Sequence, residues 1–219
     1  MDADHLSLAG LSERIRACRV CRDAPLYQPP LPHEPRPVFQ VSLSARICIA
    51  GQAPGVRVHA SGRPYTDPSG VRLRGWLGIG EDIFYDPKIV AVAAMGFCFP
   101  GLDAKGGDLP PRRECAKLWR APLFAALPNL ELILLVGQYA QKWHLAPALV
   151  GANLSETVSR WREIYQPTGH PRLAPMPHPS WRNNAWLKRN PWFEAEFLPV
   201  LRADIARILA PSSVARAAI

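Results

Sequence analysis

The chain has 219 residues, 48% of them apolar and 20% charged, a length that suits one domain and an apolar content that excludes an intrinsically disordered chain. Its longest uncharged run, Ile89 to Leu102, is fourteen residues, short of the roughly 18–20 that a membrane-spanning helix needs, so no membrane is expected as a partner. Lys and Arg outnumber Asp and Glu by 26 to 18, a net charge of +8 that favours a polyanion, nucleic acid first.

Ser12 is a candidate cap for a first helix carrying Leu11, Ile15 and Cys18 at helical spacing. The amino-terminal stretch carries acids early and has no apolar signal core, so a cytoplasmic protein is expected. Pro25 to Pro37 is too rich in proline for a helix and reads as an extended surface loop. Arg46 to Ala50, closed by Gly51, reads as a buried strand. Gly70 to Leu77 reads as a helix and Ile89 to Met95 as a second strand. Pro110 and Pro111 are expected to open a helix running to Leu127. Leu130 to Val136 reads as a third strand, with helices over Gln138 to Leu145 and Leu154 to Tyr165. Arg172 to Met176 reads as a fourth strand, which Pro175 restricts to an edge or an end. Asn190-Pro191 starts a last helix with Phe193, Phe197, Leu201, Ile205 and Ile208 on one face. Strands alternating with helices imply one α/β domain over residues 1–219: an amino-terminal segment 1–45, a core 46–209 and a tail 210–219. Such parallel sheets place their sites at the carboxyl ends of the strands.

Three groups of residues carry chemistry. The first is the cysteines. An odd number of them, five, in a chain without a secretory signal argues against a disulfide framework. Cys48 sits inside a strand and reads as a small buried hydrophobe. Cys18 and Cys21 form a C-x2-C pair, and Cys98 and Cys115 lie with sixteen residues between them in a loop-to-helix segment. Four thiolates so arranged suit zinc or an iron–sulfur cluster, and spacing alone leaves both open beside four unrelated thiols. The second group follows the first strand. Gly51-Gln52-Ala53-Pro54-Gly55 is a fixed turn where backbone can approach a ligand. Beyond it Tyr65 offers a ring for stacking, and Asp67 serves either as a base or as a helix cap. The third group follows the fourth strand. His178 between two prolines suits a rigidly positioned donor. Ser180, Trp181, Arg182, Asn183 and Lys188 then mix cations, polar groups and a ring in the manner of phosphate and base contacts.

In this order the C-x2-C pair, Gly51-Gln52-Ala53-Pro54-Gly55, Gly62-Arg63-Pro64-Tyr65, Ser69-Gly70, Cys98, Cys115 and His178-Pro179-Ser180 resemble the uracil-DNA glycosylase superfamily, in particular its iron–sulfur family 4. The resemblance runs from about Cys18 to Leu209. It implies a three-layer α/β/α sandwich with a central four-stranded parallel sheet. It implies that Cys18, Cys21, Cys98 and Cys115 hold a [4Fe–4S] cluster in preference to a structural zinc. It implies that a monomeric enzyme flips uracil, or another deaminated base such as hypoxanthine or xanthine, out of DNA and hydrolyses its N-glycosidic bond. His178, Asp67 and Gln52 would be catalytic. Gly51, Ala53, Pro54, Gly55, Tyr65 and Ala94 would hold the base.

The chain departs from the family pattern. Gln52 stands where family 4 has a glutamate, and Ala53 where other branches have an aspartate. Ala94 falls where an asparagine reads the pyrimidine edge. Phe97 and Phe99 replace basic residues around the cysteine. Asp67 looks similar to an aspartate that family 5 uses in the Gly-Arg-Pro region. A divergent member between branches is therefore expected. The alternative is a non-catalytic nucleic-acid-binding metal protein on the same fold.

Overall fold

The structure is a computed structural model that describes residues 7–210. Four strands form its centre: β1 (Ile47–Ala50), β2 (Val90–Val92), β3 (Leu132–Val136) and β4 (Arg172–Met176). All are parallel, in the order β2-β1-β3-β4, with Ile47 opposite both Val90 and Leu132, and Leu132 opposite Arg172. Every residue of β1, β2 and β3 is buried, as expected where helices cover both faces of a sheet.

Successive side chains feed opposite cores. Ile47, Ile49, Leu132, Leu134 and Val136 face one core, shared with α4 (Pro68–Leu77), α5 (Glu81–Phe84), α8 (Leu154–Ser159), α9 (Trp161–Ile164), α10 (Asn184–Arg189) and α11 (Leu198–Leu209). Cys48, Ala50, Ile133 and Leu135 face the other, shared with α1 (Leu8–Arg16), α6 (Arg113–Ala125) and α7 (Gln138–His144). The small residues Cys48, Ala50, Ala91 and Ala93 let helices approach that second face closely. Two short helices complete the set: α2 (Val20–Asp23), which carries Cys21, and α3 (Val56–Ser61), which follows the Gly51 turn. The architecture is the expected α/β/α sandwich. No helix among the described residues is long and apolar enough to cross a membrane.

Several local expectations need correction. Ser7 caps α1, its Oγ accepting from the Gly10 N–H at 3.2 Å, while Ser12 lies buried within the helix. The helix after Pro110-Pro111 begins only at Arg113, because Arg112 is extended and its guanidinium binds the carbonyls of Tyr27 and Pro29. Leu154 to Tyr165 is two helices joined at Arg160, whose side chain bonds Ala148 O and Glu163. The second strand is shorter than read: past Val92 the chain leaves the ladder to follow the Gly51 turn, with Met95 N–H donating to Gly51 O at 2.9 Å and Gly96 N–H to Gln52 O at 3.0 Å. β4 is indeed an edge strand containing Pro175. The last helical segment opens with a π-helical turn, Phe193–Phe197, and buries the five expected residues. Of the expected tail 210–219, only Ala210 lies within the described residues.

Candidate active site

At the carboxyl ends of the strands, the loops after β1, β2 and β4 enclose a cleft of about 70 Å³. Gly51, Gln52, Ala53, Pro54 and Gly55 form one wall, and Ala94 contributes from the loop after β2. Tyr65, Asp67 and Ser69 contribute from the start of α4, and His178 comes from the loop after β4. Two turns far apart in sequence are thus brought to one space. The mouth opens into a wider groove lined by Ser180, Trp181, Arg182 and Asn183. Lys188, on α10, is not among the groove-lining residues.

Backbone bonding holds the Gly51 turn in place. The carbonyls of Gly51 and Gln52 accept from Met95 and Gly96, whereas the N–H groups of Gln52 and Ala53 meet no backbone acceptor among the described residues. Glycine at position 51 leaves room for the Tyr65 hydroxyl: a Cβ there would lie 2.7 Å from the Tyr65 Oη, and the ring would have to shift. Tyr65 sits at φ 53°, a left-handed conformation uncommon outside glycine. Its carbonyl accepts from the Tyr85 hydroxyl at 3.1 Å, and its ring meets Phe84 edge-on at 5.9 Å. Gly70 makes the turn possible, since a Cβ there would fall 1.8 Å from the Tyr65 carbonyl oxygen. Burial pushes the Tyr65 phenol upward, so it stays protonated and can donate.

Asp67 occupies the N-cap position of α4 but makes no side-chain cap bond; the Gly70 N–H goes instead to the Asp67 backbone carbonyl at 2.9 Å. The capping role is therefore unfilled, and the carboxylate borders the cleft. His178 is held by its backbone: Asn183 Nδ2 donates to His178 O at 2.7 Å, and Arg72 braces the same loop through Ser180 O at 3.1 Å. Burial lowers the His178 pKa, Asp67 opposes that shift, and Arg182 reinforces it. A neutral imidazole results, able to donate one N–H without carrying a charge.

Sequence reading missed several groups. Asp108, from the loop after β2, lines both cleft and groove. Arg57, Arg72 and Lys105 join Arg182 along the groove. Behind Ala94, the fully buried Arg120 donates to Ala93 O at 3.0 Å and Ala94 O at 2.9 Å and touches His144. Burial lowers that guanidinium to about 10, and burial with Arg120 pushes His144 down to about 3, leaving it a neutral acceptor. The buried cation thus fixes the end of β2 through its carbonyls. No signal in the sequence distinguishes Arg120 from the other arginines.

Cys18, Cys21, Cys98 and Cys115 border a second, separate cavity of about 20 Å³, walled by Ile15, Pro35, Pro37, Phe97 and Trp119. The Phe97 N–H donates to Cys115 Sγ at 3.3 Å. Burial raises the Cys21 thiol to about 11 and the Cys98 thiol to about 12. Among the described residues no three Cys, His, Asp or Glu side chains converge on a point that would hold a single ion. Cys48 is fully buried in the core behind β1, and burial raises it to about 12.

The family model described as the uracil DNA glycosylase superfamily matches residues 38–202 of this chain. The match takes in all four strands, both walls of the cleft, Cys98 and Cys115. It stops short of Cys18 and Cys21.

Proposed function

The chain belongs to the uracil DNA glycosylase superfamily, and from that premise we propose that it is a monomeric, cytoplasmic DNA repair glycosylase that removes uracil and related deaminated bases. The carrying observation is the meeting of His178 with the Gly51–Gly55 turn on one cleft. Its mouth opens on a groove with Arg57, Arg72, Lys105 and Arg182, cations suited to the phosphates on either side of a flipped nucleotide. We read the described residues as one domain, with Leu11 and Ile15 of the amino-terminal segment in one core with β1.

In the reaction the bond from C1′ to the base nitrogen (N1 in uracil, N9 in hypoxanthine or xanthine) breaks and its electron pair leaves with the base. Water adds to C1′, and the base is protonated from solvent. Negative charge therefore grows on the base and positive charge on the sugar. The His178 N–H donates to a carbonyl oxygen of the base, O2 in uracil, as charge accumulates there, helped by the unpaired N–H groups of Gln52 and Ala53. Asp67, which makes no capping bond, offsets the sugar cation. Tyr65 lies against the face of the base and positions it. Ser180 and Arg182 hold phosphates, and Trp181, which is 72% exposed, fills the gap left in the base stack. Asn183 supports this loop through His178 O.

We read the four thiols as holding a [4Fe–4S] cluster in preference to zinc. They line one cavity, and the Phe97 N–H donates to one sulfur, as around such clusters. Cys18, Cys21, Cys98 and Cys115 would be its ligands. When bound, the group supplies structural cross-linking, because hydrolysis requires no electron transfer. On that reading the chain is proposed to be related to family 4. Gln52 and Ala94 set it apart from that branch.

Ala94 offers no side-chain amide to read a pyrimidine edge, so broader base choice is expected. Oligonucleotides containing uracil, hypoxanthine or xanthine, treated with the protein and then with alkali, should all break at the lesion. Breakage at uracil alone would contradict the broad range. Absence of breakage at all three would overturn the glycosylase reading in favour of a non-catalytic DNA-binding protein.

A further inference from the structure

Residues Gly101 to Leu109, between β2 and α6, fold back on themselves as a small hairpin that the sequence reading passed over. Leu102 and Asp108 form an antiparallel bridge, and the Leu109 N–H donates to Gly101 O at 2.9 Å. Asp103 closes the tip: its Oδ1 accepts from the N–H groups of Lys105 and Gly107, each at 2.8 Å, and its own N–H donates to Gly107 O at 2.8 Å. The returning limb presents Asp108 to the mouth of the cleft, opposite Gly55. A Cβ on Gly55 would lie 3.4 Å from the Asp108 Oδ2, so the carboxylate stands against the turn proposed to hold the base. Among the described residues that line the cleft, the carboxylates are Asp67 and Asp108.

The position of C1′ follows from the shape. A base in the cleft leaves its sugar at the mouth, where cleft and groove share Gly55, Asp67, Asp108 and His178. Water reaches that point from the groove, along which Asp108 is exposed. We propose that Asp108 is a catalytic residue of the glycosylase proposed above, activating the water that replaces the base at C1′.

The step balances as hydrolysis. The ionised carboxylate takes a proton from water while the water oxygen bonds to C1′. The pair of the broken bond departs with the base, which then takes a proton from solvent, and Asp108 returns its own proton to solvent. This separates the two carboxylates by role. Asp67, at the N-cap position of α4 with no capping bond, offsets the sugar cation. Asp108 stands at the mouth beside Gly55. Partial desolvation raises its pKa, Asp67 and Asp103 add to the rise, and Arg182 opposes it. Its ionised form is therefore a stronger base than a fully solvated aspartate. This also explains how a chain with glutamine and alanine at positions 52 and 53 retains an acid at the site.

The test is a single-turnover series on a uracil-containing oligonucleotide with the wild-type protein, Asp108→Asn and Asp108→Ala. Asp108→Asn should lower the rate by about 10²–10⁴ while DNA affinity and melting temperature are unchanged. Formate added to Asp108→Ala should restore at least about tenfold of the loss, by returning a carboxylate to the space the side chain left. A rate for Asp108→Asn within about threefold of wild type would overturn the proposal, as would a loss that formate does not restore in a protein that melts normally. A wild-type protein inactive on every deaminated base would instead overturn the glycosylase reading, so the two failures are distinguishable.

Discussion

His178→Ala should lower the single-turnover rate of base release by about 10²–10³ while binding to DNA is retained. The size follows from what the ring does. A donor aimed at an oxygen that becomes anionic only in the transition state contributes little to ground-state binding and about 3–4 kcal/mol to the barrier. The proline on either side, together with the Asn183 and Arg72 bonds to the loop, fixes the ring before substrate arrives. Burial keeps it neutral, so it donates without the cost of holding a buried charge. Residual activity is expected, because the N–H groups of Gln52 and Ala53 remain in place. An unchanged rate in His178→Ala would remove the ring from the chemistry.

The second large effect concerns the four cysteines. Purified protein should be brown, with broad absorption near roughly 400 nm and iron and sulfide in equal amounts. Replacing Cys18, Cys21, Cys98 or Cys115 by serine should remove the colour. It should also lower the melting temperature, because the cross-link joins four separate segments of the chain. Cys18 follows α1, Cys21 lies on α2, Cys98 is in the loop after β2 and Cys115 is on α6. A structural metal site of even about 4 kcal/mol corresponds to a shift of about 8–16 °C in a chain of this size. Cys48→Ser serves as the control and should keep the colour, since Cys48 is in the core away from that cavity. A colourless, zinc-loaded protein would contradict the cluster, and a serine variant that melts normally would contradict its structural role.

Much of the fold is legible in the sequence because a buried parallel strand has little freedom. Ile47 to Ala50 and Leu132 to Val136 are continuous apolar runs closed by glycine, and both are strands. Errors gather where a side chain or a neighbouring turn overrides local preference. Arg112 delays a helix that two prolines had seemed ready to start, and Arg160 divides one amphipathic stretch into two helices. The loops around the cleft were legible through rigid residues: the glycines and proline of the Gly51 turn and the prolines beside His178. Asp108 was not, because nothing near it in sequence separates a carboxylate at a cleft from one in solvent. Its position depends on a hairpin whose tip is closed by Asp103. Arg57, Arg72 and Lys105 are concealed in the same way, since a groove is assembled from three loops and is not written in any one of them.

The most direct measurement is a crystal structure of the protein with an oligonucleotide carrying a uridine analogue whose 2′-fluorine slows bond cleavage. The expected result is a uracil ring outside the DNA stack, its O2 within hydrogen-bond reach of the His178 ring and its edge along residues 51 to 55. A uracil left stacked in the DNA, or one bound elsewhere on the protein with His178 facing solvent, would contradict it.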